Sequence, residues 1–395
     1  MNLRHFGYRA YQCVFGLGAR LLPWRQPETI TGPGSLADIP ARLTRYGARR
    51  PLVVASRRQC ADPAFQQMLS RLEGYTLFSD IKPNPPVSTV EAAAALYRQA
   101  HCDSLVAVGG GSPMDTAKAA AALVARPGKA PEQLAGLLKV RRAIPPFIAV
   151  PTTAGTGSET TIAAVVTGAD HHKYAISDLC LIPRCAVLDP LLTVSLPPHT
   201  TAETGMDALT HAVEAYIGHS NTKGTAEAAE KATRLIFDNI LTAYENGKDL
   251  KARENMLVAS YLAGIAFTRA YVGYVHAIAH NLGGMYGTPH GLANAVILPY
   301  VLEYYGSTAA APLAKLADIA GLETNGMNDA QKASLFIEKI KEFNRKMNIP
   351  EHLEILEKDI PTIAKRALRE GNPLYPVPKI MDYDDCVSVI KRIAK

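Results

Sequence analysis

The feature that most limits what this chain can fold into is a change of hydrophobic rhythm near Pro197–Pro198. Ahead of it lie short β-branched runs: "PLVVAS" (51–56), "GYTLFSD" (74–80), "SLVAVGGG" (104–111), "PFIAVPTT" (146–153) and "CAVLDP" (185–190). Helical stretches such as "PAFQQMLSRLE" and "STVEAAAALYRQA" separate them, the latter reading as opened by a Ser88–Glu91 capping box. Continuously apolar strands interleaved with helices predict a parallel sheet covered on both faces. Behind the break the strand signals nearly vanish. Helical periodicity carries "TAEAAEKATRLIFDNILTAYEN", "ARENMLVASYLAGIAFTRA" and "DAQKASLFIEKIKEFNRKM", with a last helix from Asp382. A chain of 395 residues exceeds the size at which one core usually stops growing. The expectation is an N-terminal α/β domain over residues 25–196 and an all-helical domain over 197–395.

The first 24 residues stand apart. "MNLRHFGYRAYQCVFGLGARLLPWRQP" holds Arg4, Arg9, Arg20 and Arg25, and the first acid is Glu28. Leu3, Phe6, Ala10, Val14, Leu17 and Leu21 recur at steps of three and four, which sets them on one helical face. Arg20 interrupts the apolar run and no small-residue cleavage site follows, so the segment does not read as a secretory signal. It is too short and charged to span a bilayer. Docking of this amphipathic extension on the protein's own body or a second subunit is the favoured reading, and contact with a membrane surface the secondary one. The net charge of +6 is modest and its basic residues scattered, so a nucleic-acid partner is not expected. The six cysteines form no CxxC pair and read as reduced residues of a cytoplasmic protein.

Two loops end apolar strands in small residues. In "VAVGGGSPMDTAK" three glycines precede Ser112 and Pro113, where a helix is expected to start. Glycines leave no side chain between backbone amides and a ligand, and a helix N-terminus favours an anion. The same stretch reads equally as a bare capped helix, with Ser112-x-x-Asp115 as capping box and Pro113 at the first helical position. It is not GxGxxG, and neither "GLGARL" nor "GTGSET" completes that fingerprint. "PTTAGTGSE" (151–159) is the second such loop, and strand C-termini are where open α/β sheets bind ligands.

In the helical half, "ETGMDALTHAVEAY" spaces Asp207 and His211 four apart, one turn of helix. "VHAIAHNLGGMYGTPHGLANAV" does the same with His276 and His280 and adds His290. A lone histidine is usually a satisfied core or surface residue. Paired spacing in two apolar helices favours a divalent transition-metal site of Asp207, His211, His276 and His290, and the lack of cysteine argues against a purely structural zinc.

"GGGSPMDTAK", "PTTAGTGSE", "DALTHAVEAY" and "HAIAHNLGGMYGTPHGLANA" together resemble the signature segments of the iron-containing (group III) alcohol dehydrogenase family, in order and from about residue 29 onward. The resemblance implies a dehydroquinate synthase-like fold: a dinucleotide-binding α/β domain, then a helical metal-binding domain. It implies Fe2+, with zinc as the other choice, on Asp207, His211, His276 and His290, with His280 beside it as catalytic proton relay. It further implies cofactor contacts at Gly110, Gly111, Ser112, Asp115, Thr152, Thr153 and Thr156, at Asn84 in "KPNPPVSTV", at Lys173 in "HHKYAIS" and at Leu192. The family's activity implies hydride transfer between NAD(P) and a small or medium primary alcohol or aldehyde, with the metal as Lewis acid, in a homo-oligomer. NAD-preferring members often carry an acid after the first strand, where "VVASRRQC" has Ser56 with Arg57 and Arg58 behind it. A hydroxyl and guanidinium groups welcome a 2′-phosphate, so the preference leans to NADP. "REGNPLYPVPKIM" keeps the family's Asn-Pro element but differs around it. A metal- and NAD-dependent lyase like dehydroquinate synthase, and a non-catalytic scaffold retaining the fold, are the alternatives.

Overall fold

The computed structural model describes residues 3–168 and 173–395, in two compact units. Pro23–Ser195 form one, and Leu196–Lys395 form the other together with the N-terminal segment up to Leu22.

Among the described residues the first unit has nine strands: β1 (Glu28–Thr31), β2 (Pro51–Ala55), β3 (Thr76–Phe78), β4 (Ser104–Gly109), β5 (Gly136–Leu137), β6 (Phe147–Pro151), β7 (Ala163–Thr167), β8 (Lys173–Ser177) and β9 (Cys185–Leu188). Six make one parallel sheet in the order β1-β9-β6-β4-β2-β3. Leu52, Val54, Leu105, Ala107, Phe147 and Ala149 point into one core, and Val53, Ala55, Val106, Val108, Ile148 and Val150 into another. Both faces are therefore covered, which is why these strands read as unbroken apolar runs. The chain moves outward from β2 to β3 but in the opposite direction from β4 through β6 to β9. The carboxyl ends of β2 and β4 thus flank the point where strand order reverses, the usual ligand crevice of such sheets. The three-stranded sheet β5-β8-β7, with β7 and β8 antiparallel, was not expected. Its short strands lack a distinct periodic signature.

Numbered with the N-terminal α1 (Leu3–Arg20), the helices of this unit are α2 (Ile39–Arg45), α3 (Arg57–Cys60), α4 (Pro63–Ser70), α5 (Val87–Gln99) and α6 (Gly111–Ala125). Two expected capping boxes are absent. Helix α5 starts a residue before Ser88 with Pro86 at its N-cap, and α6 has Gly110 there with no side-chain cap. Pro113 accordingly sits inside the first turn rather than at its first position. The glycine turn tightens so closely that α6 begins before its first hydroxyl, which leaves the helix N-terminus bare.

The second unit is helical: α7 (Pro198–Ile217), α8 (Lys223–Glu245), α9 (Leu250–Ala270), α10 (Tyr274–Tyr286), α11 (His290–Tyr305), α12 (Ala310–Ile319), α13 (Asp329–Lys346), α14 (Ile360–Gly371) and α15 (Tyr383–Ile393). Helix α7 packs against α8, α9 and α11, and α10 against α11 and α14. Among the described residues no single helix is long and apolar enough to cross a membrane.

Helix α1 lies on this helical unit in a way its sequence did not suggest. Its hydrogen bonds and ion pair come from its polar face, with one aromatic contact beside them. Arg9 donates to the carbonyls of Val377 (2.7 Å) and Pro378 (2.9 Å), and Gln12 to those of Pro373 (3.0 Å) and Tyr375 (2.7 Å). His5 pairs with Asp382 at 2.9 Å, and the Phe15 ring meets Tyr271. The apolar stripe that was expected to dock faces outward instead. Cys13 on the same helix is exposed as well, whereas Cys185 and Cys386 are buried, and all six cysteines are free thiols.

Candidate metal centre and cofactor loops

Helix α7 presents Asp207 and His211 one turn apart on its buried face, α10 presents His276 and His280, and His290 opens α11. One donor atom from each of Asp207, His211, His276 and His290 lies within 4.8 Å of the others. Asp207 Oδ1 is 3.9 Å from His211 Nδ1, 3.9 Å from His276 Nε2 and 3.6 Å from His290 Nε2. Asp207, His211 and His276 are buried, while the His290 side chain is 39% exposed, so the cluster is reachable from its His290 side. Close backbone approach makes this convergence possible. A Cβ on Gly291 would lie 2.3 Å from the Glu203 carbonyl oxygen, so only glycine lets the start of α11 sit against α7.

The next ring of residues was missed at the sequence level. Glu214, also on α7, places Oε2 2.6 Å from His276 Nδ1, and it accepts the backbone N–H groups of Gly273 and Val275, each at 2.8 Å. Gly273 caps α10 without a side chain of its own, so Glu214 satisfies that helix start and aims His276 together. Burial pushes the Glu214 carboxyl up to about 7, against the backbone N–H groups that favour its charged form. Burial, with His211, His290 and His280 around it, holds His276 well below the usual imidazole range. A neutral ring whose Nδ1 proton goes to Glu214 turns the Nε2 lone pair toward Asp207. Asn294, one turn along α11 from His290, donates to Asp207 Oδ1 at 2.7 Å and lies 3.2 Å from His276 Nε2 and 3.1 Å from His290 Nε2. Helical spacing was the available signal: Glu214 follows Asp207 by two turns, and Asn294 follows His290 by one.

His280 is more open, its side chain 43% exposed. Its Nδ1 meets Glu370 Oε1 at 2.6 Å, Tyr375 donates to the same oxygen at 2.9 Å, and the ring stacks on His290 with centroids 5.2 Å apart. One carboxylate and three imidazoles converging on a small volume, with a second carboxylate orienting one ring, fit a single divalent transition ion. The donors fit such an ion without any cysteine.

In the sheet unit, Ser56, Gly110 and Thr152 end the adjacent strands β2, β4 and β6, which pair Ala55 with Val108 and Gly109 with Pro151. A Cβ on Gly110 would lie 3.2 Å from Thr153 Oγ1, and one on Gly111 3.5 Å from the Thr156 methyl, so the two small-residue loops lie against each other. Gly111 and Ser112 supply N–H groups at the start of α6. Lys173 donates to Asn84 Oδ1 at 2.7 Å, and the positive charge of Lys173 is felt by Asp115. Burial raises the Asp115 carboxyl to about 7 even with Lys118 and Lys173 near. Lys118, fully buried, donates to the carbonyls of Ser158 (2.6 Å), Thr161 (2.9 Å) and Ala163 (3.0 Å), and so ties α6 to the second loop. Two residues stand differently from a direct ligand-binding role. Ser56 Oγ accepts the Gln59 N–H at 3.2 Å and caps α3, and Leu192 buries its side chain in the core beside Val187 and Val150, leaving its main chain for any contact. The flanking arginines are engaged: Arg57 lies 3.5 Å from Asp80, and Arg58 donates to the Ser195 carbonyl at 3.2 Å.

A parallel α/β unit with open glycine loops at its strand reversal, and a helical unit carrying a cluster of one aspartate and three histidines, define a metal-dependent nucleotide-binding enzyme class. Two family models divide the chain in the same order: iron-containing alcohol dehydrogenase over residues 26–190, and the Fe-containing alcohol dehydrogenase family C-terminal region over 201–394. The chain belongs to the iron-containing alcohol dehydrogenase family. It is 40% identical over 351 residues to a 1,3-propanediol dehydrogenase of Citrobacter freundii, covering 86% of this chain and 90% of that protein. It is 33% identical over 373 residues to an NAD-dependent methanol dehydrogenase of Bacillus methanolicus, covering 92% and 97%. A crystal structure of a 1,3-propanediol oxidoreductase superposes with a TM-score of 0.91 at 36% identity, covering 95% of this chain and all of that one.

Proposed function

We propose that this protein interconverts small primary alcohols and aldehydes by hydride transfer to and from a nicotinamide dinucleotide, with a divalent ion, iron by preference over zinc, held by Asp207, His211, His276 and His290. The observation that carries the reading is the convergence of those four donors, with Glu214 orienting His276. When bound, such an ion supplies Lewis acidity that polarises the substrate oxygen. The chain's own residues do the rest. Asp207 and the buried imidazoles fix the donor positions, and Asn294 holds the carboxylate in place. His280, partly exposed and anchored through Nδ1 to Glu370, is set to pass a proton between the metal cluster and solvent. In the sheet unit, Gly110, Gly111 and Ser112 offer backbone N–H groups to the pyrophosphate, Asp115, Asn84 and Lys173 flank it, and Thr152, Thr153 and Thr156 line the nicotinamide side. Leu192 would contribute main chain only.

The absence of an acid at the end of β2 supports NADP over NAD, since Ser56 presents no charge against a 2′-phosphate. The ratio of kcat/KM for NADP(H) and NAD(H) tests it, and Ser56→Asp should move the ratio toward NAD by at least tenfold, about 1.4 kcal/mol. The free thiols support a reducing, cytoplasmic setting, in which we place the enzyme as a homo-oligomer; light scattering on the purified protein reads its mass. The deciding experiment pairs elemental analysis of purified protein with absorbance at 340 nm over a grid of aldehydes and reduced cofactors. Net cofactor oxidation with about one ion per chain supports the proposal. Bound metal without net cofactor turnover would instead indicate a lyase that recycles its dinucleotide.

A further inference from the structure

The outward face of α1 is a large feature that the proposed chemistry does not use. Leu3 (85% exposed), Phe6 (57%), Val14 (74%), Leu17 (63%) and Leu21 (81%) form a stripe along the helix, with Tyr11 beside it. An 18-residue helix is about 27 Å long, so this is a continuous apolar ridge rather than scattered surface residues. Amphipathic helices ordinarily bury such a ridge against their own protein. Here the protein holds the helix by the opposite face, through Arg9, Gln12 and His5, and presents the ridge to the outside.

Charge indicates what covers it. Between Leu3 and Pro27 there is no acid, and Arg4 and Arg20 close the two ends of the ridge. A second copy of the chain is a poor match. Two such helices packed antiparallel would set Arg4 of one against Arg20 of the other, and packed parallel would set like arginines side by side, with no carboxylate on either helix to offset them. An anionic lipid surface meets both demands: acyl chains take the apolar ridge and headgroups take the arginines. We propose that α1 seats the protein on an anionic membrane surface, with the helix lying flat in the interface and its polar face still held by the helical unit. The protein is then a peripheral enzyme that meets alcohols or aldehydes where lipid and water adjoin.

The test uses the full-length, metal-loaded protein and sedimented vesicles of phosphatidylcholine alone or mixed equally with phosphatidylglycerol. Trp24, the chain's single tryptophan, lies just beyond Leu21 and reports insertion by its emission. The wild type should pellet with the mixed vesicles, with a blue-shifted emission, and remain in solution with phosphatidylcholine. High salt should weaken the binding. The variant Val14→Glu/Leu17→Glu should lose vesicle binding by at least about tenfold while keeping its circular dichroism and its specific activity, because neither residue touches the docked face or the metal cluster. The proposal is overturned if the wild type ignores the mixed vesicles, or if the double variant binds them as well as the wild type. It is equally overturned if the only change in the double variant is loss of self-association by light scattering, which would make a second copy the occupant.

Discussion

At the scale of single residues, the metal cluster and the buried carboxyls make different demands. His276→Ala removes a donor at the centre of the set, and we expect the purified variant to lose most of its metal by elemental analysis and its alcohol-dependent cofactor reduction. Glu214→Gln leaves four donors but weakens the hold on the His276 ring, and should lower metal affinity by roughly 10- to 100-fold in a chelator competition. Glu159 acts on stability rather than on chemistry. The residue is 1% exposed, neither carboxylate oxygen has a hydrogen-bond partner on another residue, and burial raises the carboxyl to about 7 against its own backbone N–H and the nearby Lys118 charge. A carboxyl raised on folding binds its proton more tightly in the folded state, so stability falls as pH rises from the unfolded value toward 7 and stays reduced above it. Glu159→Gln should therefore gain on the wild type between pH 5 and pH 8 by about 2–3 kcal/mol at most, read from denaturation curves at both pH values. The convergence of Asp207, His211, His276 and His290 was legible in the sequence because polar residues at one-turn spacing stand out in apolar helices and His290 follows the second pair after a short loop. Glu159 was not, since whether a glutamate in a glycine-rich loop is buried depends on the tertiary packing around it.

At the scale of elements, glycines decide how near the ligand-bearing helices come. Gly291→Ala would drive its methyl into the Glu203 carbonyl, and the start of α11 must move to accommodate it. We expect a loss of about 1–3 kcal/mol in thermal denaturation together with reduced metal content, because His290 moves with that turn. A surface glycine-to-alanine change such as Gly224→Ala, which meets nothing within 4 Å, should change neither. Strands β2, β4, β6 and β9 were readable as unbroken apolar runs, since both their faces are covered. The start of α6 differs from its sequence reading for a local reason. Ser112-x-x-Asp115 has the letters of a capping box, but the glycine turn begins the helix at Gly111, so the hydroxyl falls inside the first turn and the N–H groups stay open. The missing cap is what an anion site requires. The amphipathic character of α1 was legible, but which face it would bury was not, because Arg9 and Gln12 find carbonyl partners some 361 to 369 positions away in the chain.

At the scale of the whole molecule, all four donors and their supporting carboxylates belong to the helical unit, while the glycine loops belong to the sheet unit. Stripping the ion should therefore lower protection from hydrogen exchange in α7, α10 and α11 and leave β2, β4 and β6 unchanged, since only elements that contact a ligand share its stabilisation. The two-part organisation was legible because strand periodicity stops and helical periodicity begins at one place. That the first helix joins the last unit was not legible, and it bears on how the protein is made. Synthesis at about 5–20 residues per second keeps His5 waiting roughly 20–75 s for Asp382, which lies 377 positions later. The sheet half can finish folding in that interval, whereas α1, made before it, is seated only after the C-terminal segment has been made. Until its carbonyl partners emerge, both of its faces are open to chaperones or to any surface the growing chain meets.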